Sequence, residues 1–121
     1  MKKPIVLVAL FLVTAGAFGQ STFGTGQWLH DGWQASQKMT TNLDRSDLEA
    51  GGEYMGFVLG TTRMMAAIEW LDVPATSTLG QWLDVVGKYL DDHPEDWNLR
   101  AEFLVYRALV AVWPGKKKPP N

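Results

Sequence analysis

The sequence predicts a single small all-α domain, a bundle of four main helices, and three observations support this. Apolar residues recur every three or four positions in several segments. Residues that cap helices stand at the start of these segments, and proline or glycine stands at their ends. No segment alternates polar and apolar residues for long enough to predict a strand. The 121 residues leave room for one domain.

The first nineteen residues have the pattern of a signal peptide. Lys2 and Lys3 form a positive beginning, the apolar run Ile5 to Val13 follows, and small residues stand at Ala17 and Gly19. The apolar run is too short for an ordinary membrane span, so cleavage after Ala17 or Gly19 is favoured over an uncleaved anchor. The mature chain is therefore expected to be exported, with no stable membrane insertion after signal removal.

The first two helices are predicted from their capping residues. Thr25 is expected to cap a helix that runs from Gly26 through about Lys38. Ser46 and Glu49 form a capping box, which predicts that a second helix begins near residue 47 and continues to about residue 71.

Glycines make the second helix unusual, because each one costs about 0.5–1 kcal/mol relative to alanine. Gly52, Gly56 and Gly60 are spaced by four and share one side, so we expect a groove in which the last helix approaches closely. The alternative is that Gly51 and Gly52 break the segment into two helices. One continuous helix is favoured, since helical periodicity resumes directly afterwards.

The third helix is predicted from a second capping box. Asp72-Val73-Pro74 is expected to end the second helix, and Thr78 with Gln81 then begins a strongly amphipathic helix. His93-Pro94 ends it, because the residue before a proline disfavours the helical conformation.

The last helix is predicted over residues 99–113 and is apolar on nearly every side. It is therefore expected to be the core helix that the other three cover. Asn98 can cap its start, and Pro114 with Gly115 ends it. Its main apolar stripe comprises Leu99, Phe103, Tyr106, Val110 and Trp113. The domain thus spans residues 20–115, and residues 116–121 form a basic, proline-containing tail predicted to be disordered.

Composition excludes nucleic acid as an expected partner. Without the two signal-peptide lysines, nine basic residues stand against thirteen acidic ones, a net charge of about −4. Three of the nine lie in the tail, so the domain offers no basic patch for phosphates. The chain has no cysteine, which predicts an exported domain held together by packing alone.

Catalytic and metal-binding chemistry is not predicted, and neither is a cofactor. His30 and His93 are far apart, and no histidine pair has metal-ligand spacing. His30 is expected to be a partly exposed helix residue and His93 a helix C-terminal residue favoured by the dipole. Glu69 is expected to form an ordinary ion pair with Arg63 or Arg107. We therefore predict a protein that is not an enzyme and has no catalytic residues.

Binding to another protein is the remaining class of function, since the six tryptophans are of a residue type that typically anchors protein interfaces. Trp82 and Trp113 lie on apolar stripes and are predicted to be core, whereas for Trp97, in a polar turn, core and interface are equally open. Carboxylates can steer a partner that an aromatic residue then anchors. The candidate partner-binding residues are Asp91, Asp92, Glu95, Asp96 and Trp97, which we call the acidic turn.

Several motifs in a fixed order resemble the Rap/Tai family of small immunity proteins. They are YMGFVLG at 54–60, DVP at 72–74, LGQWLDVVGKYL at 79–90 followed by HP at 93–94, and AVWP at 111–114. The resemblance covers about residues 51–115. It implies a periplasmic protein that binds a type VI secreted peptidoglycan amidase and blocks its active site, often as a homodimer. The family's cysteines are absent here, and their neighbourhoods hold Gly51, Asp72 and Gly115.

Two hypotheses follow for function. The first is a periplasmic immunity protein that occludes the active site of its cognate effector, an amidase-type toxin, with the acidic turn as the contact. The alternative is a periplasmic helical chaperone or envelope stress protein, because methionine-containing surfaces adapt to varied partners. A small-ligand carrier is a weaker third possibility, which would need a cavity between helices.

Overall fold

The structure is a computed structural model that describes residues 22–39, 41 and 44–120. These residues contain four α-helices and one 3₁₀ helix, and no strand occurs among them beyond two isolated bridges. The elements are α1 (Gly26–Lys38), α2 (Arg45–Ala67), α3 (Leu79–Asp92), the 3₁₀ helix (Pro94–Asp96) and α4 (Ala101–Val110). The predicted all-α class is confirmed, whereas the predicted signal peptide lies outside the described residues. In the described part of the chain, no helix has the length and apolarity that a membrane span requires.

Helix α1 begins where the sequence predicts, and its first turn is fixed to the start of α4. The Thr25 hydroxyl accepts a hydrogen bond from the Trp28 amide at 3.4 Å. The Gly26 and Gln27 amides donate to backbone carbonyls of residues 99 and 97, both at 2.8 Å. A Cβ at Gly26 would lie 2.7 Å from the Trp97 Cα, so only glycine allows this approach.

Helix α2 begins earlier than predicted, because Asp44 is its cap. The Asp44 carboxylate accepts hydrogen bonds from the Ser46 amide and hydroxyl at 3.0 and 3.1 Å. Ser46 is thus already inside the helix, and the predicted Ser46–Glu49 capping box is wrong. Glu49 instead pairs with Arg45 one turn away at 3.2 Å.

The glycines of α2 do not serve the predicted purpose, although the helix is continuous as expected. A Cβ at Gly52, Gly56 or Gly60 would meet no described atom within 4 Å, so none of the helices α1, α3 and α4 packs on this side of α2. The close approach is made instead by Gly32 of α1, where a Cβ would lie 2.8 Å from the Tyr54 Cβ, and by Gly51, which faces α1. Helices α1 and α2 therefore form the tightest pair.

Helix α2 ends at Ala67, four residues before the predicted end, because the chain reverses at Glu69. This residue has φ of +67°, a left-handed conformation that terminates helices. The following residues pair with the segment after α4: Asp72 N–H donates to Trp113 O at 3.1 Å, and Gly115 N–H to Trp70 O at 3.1 Å. A contact between distant parts of the chain, rather than Pro74, sets this boundary.

Helix α3 confirms the second capping box. The Thr78 amide donates to Gln81 Oε1 at 2.9 Å, and the Gln81 amide donates to Thr78 Oγ1 at 3.2 Å. The helix ends at His93, as predicted.

Helix α4 is shorter than the predicted core helix. It begins after Arg100, and Asn98 does not cap it. Its buried face comprises Ala101, Leu104, Val105, Ala108 and Leu109, not the predicted main stripe. Phe103 of that stripe is 45% exposed. The residues flanking α4 make backbone bonds to α1 and to residues 70–72 instead of continuing the helix, which turns one apolar side of α4 outward.

Candidate functional site

Trp97, at the end of the acidic turn, is anchored by its own indole. Its Nε1–H donates to Leu90 O at 2.8 Å, and its ring stacks on His30 with centroids 4.0 Å apart. The residue is half-buried and packs against the core. Trp82 and Trp113 are also partly buried against the core, which agrees with their predicted role.

Asp91 connects the acidic turn to α1. Its carboxylate accepts a hydrogen bond from Trp33 Nε1 at 3.1 Å and lies 3.0 Å from His30 Nε2. His30 is only 6% exposed, so the prediction of a partly exposed side chain is wrong. A buried histidine needs a polar partner, and Asp91 supplies it.

Asp96 is held from two sides. It accepts a hydrogen bond from the Tyr89 hydroxyl at 2.8 Å and pairs with Arg107 Nη1 at 3.3 Å. Burial raises the pKa of Tyr89, and its hydrogen bond to Asp96 raises the pKa further. The phenol therefore stays protonated and keeps donating to this carboxylate at neutral pH.

Asp92 and Glu95 differ from the other three members of the acidic turn. Both are exposed, and among the described residues neither has a hydrogen-bond or ion-pair partner. The structure thus brings the five candidate residues together: Asp91, Asp96 and Trp97 fix the turn, while two free carboxylates face solvent. Their role in partner binding stays a prediction.

A second surface was not predicted as a binding site, and we call it the apolar groove. It carries three large apolar side chains with high exposure: Met64 (66%), Phe103 (45%) and Ile68 (42%). Its first half, of about 540 Å³, is lined by Met65, Trp70, Leu99, Arg100, Glu102, Phe103, Tyr106, Pro119 and Pro120. Its second half, of about 600 Å³, is lined by Gly56, Phe57, Gly60, Thr61, Met64 and Ile68, and shares Met65, Trp70 and Glu102 with the first.

The sequence contained a signal for this groove. Helix α4 has more apolar residues than one buried face can use, and its surplus side chains Phe103 and Tyr106 line the groove. The α2 glycines predicted a depression along that helix, and Gly56 and Gly60 do line one, but it is open and not filled by α4. An exposed apolar surface of this kind is typical of interaction sites.

The remaining candidates from the sequence are the possible metal ligands and the two residues His93 and Glu69. No group of three or more histidine, cysteine, aspartate or glutamate side chains there could hold a metal ion. His93 lies at the end of α3, as predicted, where its Nδ1 is 2.8 Å from Tyr89 O and its ring stacks on Tyr89. This contact requires the proton on Nδ1. Glu69 pairs with Lys117 at 3.2 Å, and not with Arg63 or Arg107 as expected.

Comparison with known proteins adds one family. A family model described as Rap1a immunity proteins matches residues 25–115. The matched range begins at the cap of α1, contains all four helices and ends at Gly115, before the basic tail. No curated protein matches the chain.

Proposed function

Because this chain belongs to the Rap1a immunity protein family, we propose that it protects its cell by binding one effector toxin. The resemblance drawn from the sequence motifs is confirmed at the level of the family. The finer proposal is a periplasmic protein that binds a type VI secreted peptidoglycan amidase and occludes its active site. On this proposal it acts as an inhibitor and performs no reaction of its own.

The acidic turn is the surface that we propose for the effector. One observation supports this surface: the residues of the acidic turn fall into two groups. Asp91, Asp96 and Trp97 are fixed by contacts with α1, α3 and α4. Asp92 and Glu95 are left exposed. A turn that is already ordered loses little conformational entropy on binding. Two unpaired carboxylates attract a basic active-site rim and raise the association rate.

Co-expression with a periplasm-targeted amidase effector of a type VI secretion system tests the proposal. We expect cells to survive and the two proteins to co-elute in gel filtration. Lysis despite expression of the protein, together with no complex, would overturn the proposed function.

Charge reversal tests the surface separately. The double variant D92K/E95K should lower the association rate by about tenfold at low salt, with a smaller effect at high salt. The matched control E53K/D72K makes the same change in net charge at exposed carboxylates outside the acidic turn and should bind like the wild type. Equal association rates for the two variants would show that the effector binds elsewhere.

The alternative of a chaperone or envelope stress protein is favoured by one observation, the exposure of Met64 and Ile68 in the open half of the apolar groove. Such a protein should suppress aggregation of unrelated denatured proteins at low pH, whereas a specific inhibitor should not. The homodimer implied by the family resemblance also stays a proposal, which sedimentation velocity can test.

A further inference from the structure

The basic tail is tied to the domain by a short backbone ladder. Bonds join Asp72 N–H to Trp113 O, Gly115 N–H to Trp70 O, and Lys117 N–H to Glu69 O, at 3.1, 3.1 and 2.9 Å. Successive odd-numbered residues of the C-terminal segment thus face residues 69–72 in antiparallel order. Proline has no N–H to donate, so the two prolines that follow leave the ladder.

The ladder places those prolines at the side of the apolar groove, where they form part of its wall. Pro119 and Pro120 line its first half together with Trp70, Phe103 and Tyr106. Grooves lined by aromatic side chains are the usual receptors for proline-containing segments, because a proline segment is apolar and has little conformational entropy to lose.

Charge complements this apolar contact. Lys117 pairs with Glu69 through Nζ and Oε2 at 3.2 Å. Glu102, which pairs with Arg100, stands where the two halves of the groove meet. A segment with a lysine followed by prolines therefore meets the Glu69 carboxylate first and the aromatic rings second.

We infer that the first half of the apolar groove is a recognition site for a short lysine- and proline-containing peptide, and that residues 117–120 are its ligand, bound in cis. The tail thereby forms one wall of this half of the groove, whereas it does not line the half with Met64 and Ile68. This inference is independent of the proposed function, since it concerns a different surface and needs no effector.

The test uses the full mature chain labelled with ¹⁵N and a synthetic peptide with the sequence of residues 115–121. The variant K117E/P119S/P120S removes the ion pair and both prolines and should release the tail. We expect its Trp70 indole N–H resonance to shift from the wild-type position. The added peptide should return it toward that position and bind about tenfold tighter than it binds the wild type, where the tethered tail competes.

Two controls make the result specific. K116E makes the same change in net charge as the triple variant. It keeps the backbone ladder, the ion pair between Lys117 and Glu69 and both prolines, so it should behave like the wild type. F103S, introduced beside the tail-releasing changes, should abolish peptide binding while circular dichroism shows an intact fold, because Phe103 lies outside the buried core.

Three outcomes would overturn the inference. They are an unchanged Trp70 resonance after release, equal peptide affinity for wild type and released variant, and binding that survives F103S. A wild-type Trp70 resonance that moves on dilution would show that the tail binds a second copy, and would also overturn the arrangement in cis.

Discussion

The imidazole of His30 lies stacked on the indole of Trp97, with planes inclined by 24°. The same imidazole meets Asp91 through Nε2, so one buried side chain of α1 supports both ends of the acidic turn. The rigidity of the proposed effector surface therefore depends on a helix that lies outside it.

His30→Ala should destabilise the protein by about 2 kcal/mol and loosen the acidic turn. The change leaves a cavity beneath Trp97 and removes a partner of Asp91. Urea unfolding measures the first effect, and amide hydrogen exchange across residues 91–97 measures the second. Asp31→Ala, at the exposed neighbouring position of α1, should change stability by less than about 0.5 kcal/mol. An H30A variant that is as stable as D31A would contradict this account.

Gly87→Ala should destabilise the protein by about 3 kcal/mol, because a Cβ there would lie 2.2 Å from two atoms of the Trp33 indole. The ring would have to move, and its hydrogen bond to Asp91 would be lost. The same substitution at Gly52, also inside a helix but in open space, should stabilise by about 0.5–1 kcal/mol. Thermal unfolding of both variants checks the opposite signs. Destabilisation by G52A would restore the prediction that a helix packs on that side of α2.

Local signals explain what the sequence predicted correctly. The start of α1 follows from Thr25, and the start of α3 follows from Thr78 and Gln81, because a cap involves only residues within one turn. Both are decided by contacts three residues apart.

Long-range contacts explain the features that the sequence does not predict. The end of α2 is set at Glu69 by pairing with residues 113–117, more than forty positions away. Likewise, Asp91 looks like a solvated carboxylate in sequence, since nothing local shows that His30 and Trp33 reach it. Periodicity shows that a helix has an apolar face, but not which neighbour covers it, so the sequence alone predicts Phe103 in the core.

Glu69→Gly should stabilise the protein by about 1 kcal/mol, because φ of +67° is strained for a residue with a Cβ and relaxed for glycine. The variant also loses the exposed Lys117 ion pair, which contributes little to stability. Glu69→Gln keeps the backbone strain and removes only the charge, so its stability should stay within about 0.5 kcal/mol of the wild type. Urea midpoints separate the two contributions, and equal midpoints for both variants would show that the left-handed turn carries no strain.

Stability should fall as the pH rises above about 10, and Tyr54 should account for much of the loss. Burial raises the pKa of Tyr54 above its ordinary value, and Asp84 and Asp91 raise it further. In the unfolded chain the phenol loses its proton near pH 10, whereas the folded chain keeps it. The unfolded state then binds fewer protons, so this contribution is fully present below pH 10 and decreases above it by up to about 1.4 kcal/mol per pH unit.

Tyr54→Phe separates this effect from general alkaline unfolding. The variant loses the hydrogen bond from the hydroxyl to Leu83 O, at 2.7 Å, and should be about 1 kcal/mol less stable at pH 8. Between pH 10 and 11 its urea midpoint should fall less steeply than that of the wild type. Tyr89, whose pKa is also raised, contributes in the same direction. A Y54F curve that runs parallel to the wild-type curve would rule out Tyr54 as the titrating group.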